Sequence, residues 1–303
     1  MEQDPNPDSA LEAVAVALRA LDPGGDRTAR VLRKTLDQLY DGMRTGRYRW
    51  DQLHKTEKTH CGTLVEINMQ REFGFEDGKK LDFCIAGLEV DCKYSQHEGG
   101  WMIPMEAHGE ICMVLWASDD VAQWKMGVVR AEPDLLSGGR NRDAKTTLNA
   151  QGRRAIRWLF QHGRLAENTL LQLPRETVDE IMAGASGAER IRRLCRLVQR
   201  RIIRREIVAT VAQQVDYMKR LRGNGGARSD LRAEGIIILG QYERHQRIAR
   251  KLRVPVPGAG DTVTVRVCPA QIGASGSAEI DGSWWRVAGD EDPLARAPRL
   301  PSV

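Results

Sequence analysis

The stretch that decides the fold is Leu81-Asp82-Phe83-Cys84-Ile85-Ala86-Gly87-Leu88-Glu89-Val90-Asp91-Cys92-Lys93-Tyr94. Polar and apolar residues alternate on both sides of Ala86-Gly87, the period-2 pattern of strands with two unlike faces. The pattern predicts a β-hairpin, although Ala-Gly is a weaker turn signal than Asn-Gly. That turn pairs Phe83 with Val90 and sets Asp82 opposite Asp91, with Cβ atoms about 5 Å apart. Glu89, Asp91 and Lys93 share a face, so Asp82, Asp91 and Lys93 converge on one side. Leu81, Phe83, Val90 and Cys92 are expected on the other. Opposed carboxylates repel unless a cation lies between them. Hard oxygen donors with open positions suit Mg²⁺. A lysine beside them can orient a water or stabilise negative charge on a phosphate. The plain alternative is a solvated hairpin face on which Lys93 pairs with Asp82 or Asp91, and alternation alone leaves both readings open. The acid-x-Lys triplet is a weak signal by itself, since Asp77-Gly78-Lys79 and Asp143-Ala144-Lys145 also carry it. Only Asp91-Cys92-Lys93 sits in an alternating strand with a second acid opposite.

Asp82, the nine-residue step to Asp91 and the following Cys92-Lys93 together resemble the PD-(D/E)xK nuclease core, and more narrowly the NaeI-type restriction endonucleases. Glu66, sixteen residues before Asp82, stands where that family carries a further acidic ligand. Thr35-Leu36-Asp37-Gln38-Leu39-Tyr40-Asp41-Gly42 is also similar to the family. The resemblance covers most of the chain. It implies that Glu66, Asp82, Asp91 and Cys92 hold Mg²⁺ and that Lys93 is the catalytic lysine. It implies a homodimer that cuts double-stranded DNA at a GC-rich, GCCGGC-like palindrome, with an N-terminal domain that cleaves and a C-terminal domain that binds a second copy of the site. Leu81 departs from the proline common in the wider superfamily, a position that touches no metal. Leu39-Tyr40-Asp41-Gly42 is also close to the Lys-x-Asp-Gly motif of DNA ligases. Leucine stands in place of the nucleophilic lysine, and the segment reads as a helix end.

Working outward, Ser9 is expected to cap a helix with Leu11, Val14, Leu18 and Leu21 on one face, ended by Asp22-Pro23-Gly24-Gly25. A second helix is expected from near Thr28 to Gly42, with Val31, Leu32, Leu36 and Leu39 inward. Residues 45–62 read as a polar loop and residues 64–73 as a helix. Strands are predicted at Glu110–Trp116 and Lys125–Ala131, then a long helix near Ala144–Phe160. The second half reads as helices at Glu176–Ala183, Ala188–Arg201, Glu206–Leu221, Ser229–Leu239 and Gln241–Leu252. Strands follow at Thr262–Val267 and Ser283–Val287. The fold class is thus an α/β, restriction-endonuclease-like domain (residues 1–163) followed by a mainly helical, winged helix-turn-helix-like domain (residues 164–303).

Composition agrees with two domains. The 303 residues are 41% hydrophobic and 29% charged, enough for sizeable cores. No apolar run reaches the roughly 18 residues of a membrane span, and the acidic start is unlike a secretory leader. The six cysteines form no Cys-x-x-Cys pair, so they are expected to be reduced thiols of a cytoplasmic protein, with Cys84 and Cys112 in the core. The net charge of +5 is mild, but residues 1–163 carry 22 basic and 25 acidic side chains and residues 164–303 carry 24 and 16. The second half is the basic one.

Eight arginines fall between Arg190 and Arg205, among them Arg200 and Arg204, with Ile191, Leu194, Leu197, Val198, Ile202 and Ile203 as the expected inward stripe. Such a face suits phosphates. A Gly-rich loop leads from Arg222 into Arg228, Ser229 and Arg232, where a helix start could meet phosphate or base edges. Arg140, Asn141, Arg142, Asp143 and Lys145 form a further polar loop whose residue types suit base edges. Each of these loops also reads as an ordinary connection. The rival functions are a mismatch-repair-type nicking endonuclease and a non-enzymatic helix-turn-helix regulator. The regulator has no use for the set Glu66, Asp82, Asp91 and Lys93.

Overall fold

The computed structural model describes residues 8–139, 144–221 and 225–301. The chain forms two compact units, Met1–Leu39 with Arg49–Glu167, and Tyr40–Tyr48 with Asn168–Val303.

The first unit opens with α1 (Ser9–Leu21) and α2 (Asp26–Tyr40). Asp8, not Ser9, caps α1, its side chain accepting the Leu11 N–H. Past the short α3 (Gly42–Thr45), which belongs to the second unit, α4 spans Lys55–Phe73. This helix corrects the expected loop over residues 45–62. The Glu57 carboxylate reaches back to the His54 N–H and fixes the helix start. Cys61, Val65 and Met69 recur every fourth residue as its buried stripe.

Six strands follow: β1 (Glu76–Asp77), β2 (Phe83–Ile85), β3 (Leu88–Ser95), β4 (Ile111–Ser118), β5 (Gln123–Arg130) and β6 (Arg157–Arg164). They lie in sequence order in one sheet. Only β3 and β4 run parallel. On one side α4 packs on β3 and α1 on β5 and β6. Trp101, Ile103, Cys112, Val114 and Leu148 belong to a separate buried cluster. The expected helix over residues 144–160 is instead the five-residue α5 (Ala150–Arg154), capped by Asn149, followed by β6. Leu148, Ile156 and Leu159 mimic a helical repeat, but Trp158 and Phe160 favour the pleated surface. In the core of this unit Arg33 forms a two-pronged pair with Asp119 and reaches Asp37 at 2.9 Å.

The second unit is mixed rather than helical alone. Its helices are α6 (Arg175–Met182), α7 (Gly187–Leu197), α8 (Arg205–Ala212), α9 (Ala227–Asp230) and α10 (Glu243–Lys251). Its strands are β7 (Ile202–Ile203), β8 (Ile236–Gly240), β9 (Thr262–Pro269), β10 (Ser277–Ile280) and β11 (Ser283–Val287). Strand β9 is the hub, pairing antiparallel with β7, β8 and β11. The helix expected over residues 229–239 therefore fails. After α9 and a tight turn the chain reverses at Gly235 (φ 74), and the β-branched run Ile236-Ile237-Ile238 enters the sheet. The helix expected over residues 206–221 stops at Ala212. Gln213 adopts φ 50, and Arg190 donates to the Val211 and Ala212 carbonyls at 2.7 and 2.9 Å. Likewise α7 ends at Leu197, which is exposed rather than inward.

Candidate functional site

The hairpin forms with the expected register. Phe83 faces Val90, Cys84 faces Glu89 and Ile85 faces Leu88, around Ala86 and Gly87 at positive φ (54° and 76°). Both central residues in the left-handed region make a turn that follows the strand twist, and this explains how Ala-Gly closes the hairpin. One part of the register reading needs correction. Strand β2 begins at Phe83, so the paired ladder reaches neither Asp82 nor Leu81. The Leu81 side chain joins the buried cluster of Cys112 and Val114, and Cys112 is the β4 partner of Asp91.

Asp82 leaves the ladder and turns onto β3. One of its oxygens accepts the Cys92 N–H at 2.7 Å and the Lys93 ammonium at 3.4 Å. Lys93 Nζ also donates to Asp91 at 2.7 Å and to the Cys92 carbonyl at 3.1 Å. Two carboxylates and a main-chain carbonyl thus surround one ammonium. Burial pushes the Asp91 carboxyl up, to about 6, against the pull of Lys93. The neighbouring Asp91 and Asp82 charges hold Lys93 above its ordinary value despite burial.

Glu66, on α4, is not hydrogen-bonded or ion-paired to this group, but it feels the group's charge. Burial and the Asp82 and Asp91 carboxylates raise its pKa, opposed by Lys93. The Cys92 thiol is buried, and burial pushes it well up, so what Cys92 offers the site is its carbonyl oxygen. The alternation of β3 places its side chain on the face away from Asp91 and Lys93.

Two contributors escaped the sequence reading. The Glu89 carboxylate accepts the N–H groups of Lys79, Lys80 and Leu81 at 2.8, 3.1 and 2.9 Å, and these three bonds hold its pKa below the usual range. It thereby anchors the loop that delivers Asp82. Gly78 completes this turn, because a Cβ there would collide with the Leu81 carbonyl. The Cys112 thiol lies 3.8 Å from the second Asp91 oxygen. Alternation put Glu89 on the Asp91 face, but its loop partners are set by three-dimensional folding.

Among the described residues, no three His, Cys, Asp or Glu side chains form a ready metal cage. Mg²⁺, however, takes one or two carboxylates and fills its remaining positions with water and phosphate oxygens. Asp82 and Asp91 converge on one point and supply that number, so the donor set fits.

A family model for "Restriction endonuclease NaeI" matches residues 12–296. The chain belongs to the NaeI restriction endonuclease family. It is also 52% identical to "Type II restriction enzyme NaeI" of Lentzea aerocolonigenes, over 97% of this chain and 95% of that one. The NaeI-family match therefore spans both compact units.

The NaeI-family chain treats its expected DNA-contacting residues unequally. Arg140, Asn141, Arg142, Asp143 and Arg222 lie outside the described residues. Lys145 and Arg200 are exposed, and Arg200 has left-handed backbone (φ 57). Arg204 is buried and pairs with Glu206, Arg232 donates to the Ala297 carbonyl, and Arg228 donates to the Ile238 carbonyl. Ser229 is half-buried in α9. The arginine run does not form one helix face. Arg190 closes α8, while Arg192, Arg193 and Arg196 pair with Asp230, Glu189 and Glu234. These contacts use guanidinium donors that the sequence reading had assigned to phosphates.

Proposed function

We propose that the chain cuts both strands of DNA at a GC-rich, GCCGGC-like palindrome, with Asp82, Asp91 and Lys93 as the reacting set and Mg²⁺ as the cofactor. As a NaeI-type type II restriction endonuclease it is a hydrolase acting on DNA. The observation that carries the site assignment is the convergence of Asp82 and Asp91 on Lys93 Nζ. Asp82, Asp91 and the Cys92 carbonyl are the inner donors. Glu66 adds negative charge from α4 and is the further acidic ligand. Mg²⁺, when bound, neutralises the scissile phosphate and lowers the pKa of a bound water. Lys93 keeps its proton at Nζ because Asp91 and Asp82 favour the charged form. It orients the attacking water or stabilises charge gathering on the phosphate oxygens. The buried surroundings of Asp91 lower the local dielectric and strengthen both contacts.

In this reading the protein is a cytoplasmic homodimer, and the second unit, a winged helix-turn-helix type of module, holds a second copy of the site. No helix among the described residues is long and apolar enough to cross a membrane. The test is cleavage of supercoiled plasmid with and without the palindrome. Cutting is expected only with the palindrome and Mg²⁺, and Asp91→Ala and Lys93→Ala should each lose about a thousandfold, roughly 4 kcal/mol of barrier. A wild-type protein that leaves the palindrome plasmid intact in Mg²⁺ overturns the proposal. Sedimentation of the free protein tests the dimer.

A further inference from the structure

The second unit contains a cavity of about 230 Å³ that the nuclease chemistry does not use. Arg228 and Arg205 line it, together with Gln241, Tyr242, Gly260 and Asp261. Arg228 is half-buried, and burial lowers its pKa. The ionisable groups that interact with it are Tyr242, Cys195 and His245, none of them a carboxylate. Its Nε donates to the Ile238 carbonyl at 3.1 Å. Its other N–H groups have no protein acceptor among the described residues. A half-buried guanidinium with spare donors is an anion receptor, and its planar fork matches phosphate.

Arg205 supplies a second cation to the same cavity. The Tyr217 hydroxyl accepts from its Nε and Nη2 at 3.3 and 3.0 Å and holds the side chain in place. Gly260 (φ 81) lets the chain pass against the Arg205 stem, where a Cβ would be crowded. Tyr242 is 41% exposed, and its ring is braced edge-on by His245 at 5.5 Å. A braced, exposed aromatic ring is a stacking platform for a planar base. Asp261 accepts the Gly258 N–H at 3.2 Å, and burial raises its pKa. A carboxyl in the lining disfavours a bare polyanion. It favours a ligand that presents an amino group as well as an anion. The volume lies below the roughly 300–1,000 Å³ of pockets that enclose drug-sized ligands, so the cavity would hold part of one nucleotide and leave the rest in solvent.

We propose that this cavity binds a nucleoside 5′-monophosphate, with its phosphate on Arg228 and Arg205, its base against Tyr242 and its exocyclic amine toward Asp261. This goes beyond the cleavage reading and does not depend on it, because every residue used lies in the second unit.

The test is calorimetric titration of the full-length protein in EDTA with deoxycytidine 5′-monophosphate, deoxycytidine, inorganic phosphate and thymidine 5′-monophosphate. The first should bind saturably, and the other three about tenfold more weakly or worse, since each lacks one charged or amine contact. Arg228→Gln and Arg205→Gln should weaken the first ligand about tenfold or more. If Arg228→Gln fails to fold by circular dichroism, Arg205→Gln and Tyr242→Ala carry the same expectation. A short oligonucleotide ending in a 5′-phosphorylated cytidine distinguishes the sources. Competition points to a strand end as the ligand, and no competition points to the free nucleotide. Absence of saturable mononucleotide binding overturns the proposal. So does inorganic phosphate binding as tightly as the nucleotide, or binding that survives all three substitutions.

Discussion

The Glu89 carboxylate accepts the Leu81 N–H at 2.9 Å, one residue before Asp82 leaves the loop for the cluster around Lys93. The same carboxylate holds the Lys79 and Lys80 N–H groups, so it fixes the backbone from which Asp82 projects. With Asp82 as the proposed metal ligand, Glu89→Ala is expected to slow plasmid cleavage by about 10–100-fold, the usual cost of losing a support behind a ligand. Duplex binding in EDTA, measured by gel shift, should change little. Cleavage at the wild-type rate would show that Asp82 is placed without this anchor.

The thiols offer a second measurement. All six cysteines are free, and five are buried, with Cys84 only partly covered. Burial pushes the Cys61 and Cys195 thiols up to about 12. Thiolate is the reactive form, so these groups are doubly protected. A colorimetric thiol reagent at pH 8 should find about one reactive thiol in the native protein and six in denaturant. Loss of the fast thiol in Cys84→Ser assigns it. Several fast native thiols would contradict the burial.

The hairpin was legible because period-2 alternation and a two-residue turn are local signals, and the pairing of Asp91 and Lys93 followed from them. Leu81 was misplaced because β2 is only three residues long and Glu89 takes hold of the backbone before it. Residues 144–160 and 229–239 carry apolar spacings compatible with a helix, and only the sheets into which β6 and β8 insert settle the matter. The arginine run illustrates a different limit. Composition counts charges, whereas Arg190 is placed by carbonyls at the end of α8, more than twenty residues away in sequence. Glu66 could be placed near the cluster only through the family resemblance, since no periodic pattern links α4 to the hairpin.

His245 makes stability sensitive to acid. Its Nδ1 accepts the Gly240 N–H at 3.1 Å, and burial with the nearby Arg228 lowers its pKa to about 4. Between pH 6.5 and 4 the unfolded chain binds a proton here that the folded chain does not. Stability from this group is therefore full above about pH 6.5 and falls as pH drops toward 4, with no further loss below. Urea midpoints at pH 4.5 and 7 should differ less in His245→Asn than in the wild type. An equal difference would mean that other groups carry the acid sensitivity.

Gly42 tests the ligase-like Leu39-Tyr40-Asp41-Gly42 segment. A Cβ on Gly42 would collide with Thr210 Oγ1 on α8 and crowd the Arg47 carbonyl, so glycine is required by a close approach between α3 and α8. Thr210 cannot swing away freely, because its hydroxyl donates to the Glu206 carbonyl at 2.8 Å. Gly42→Ala is expected to destabilise the protein by about 1–3 kcal/mol, the range for overpacking a filled site. Adding Thr210→Ala removes the colliding oxygen and should recover part of that loss, whereas Thr210→Ala alone opens a small gap. The coupling is read from urea midpoints of the two single variants and the double. Strictly additive losses would mean that the Arg47 carbonyl and the Thr210 Cβ, rather than the Thr210 hydroxyl, enforce glycine at this position.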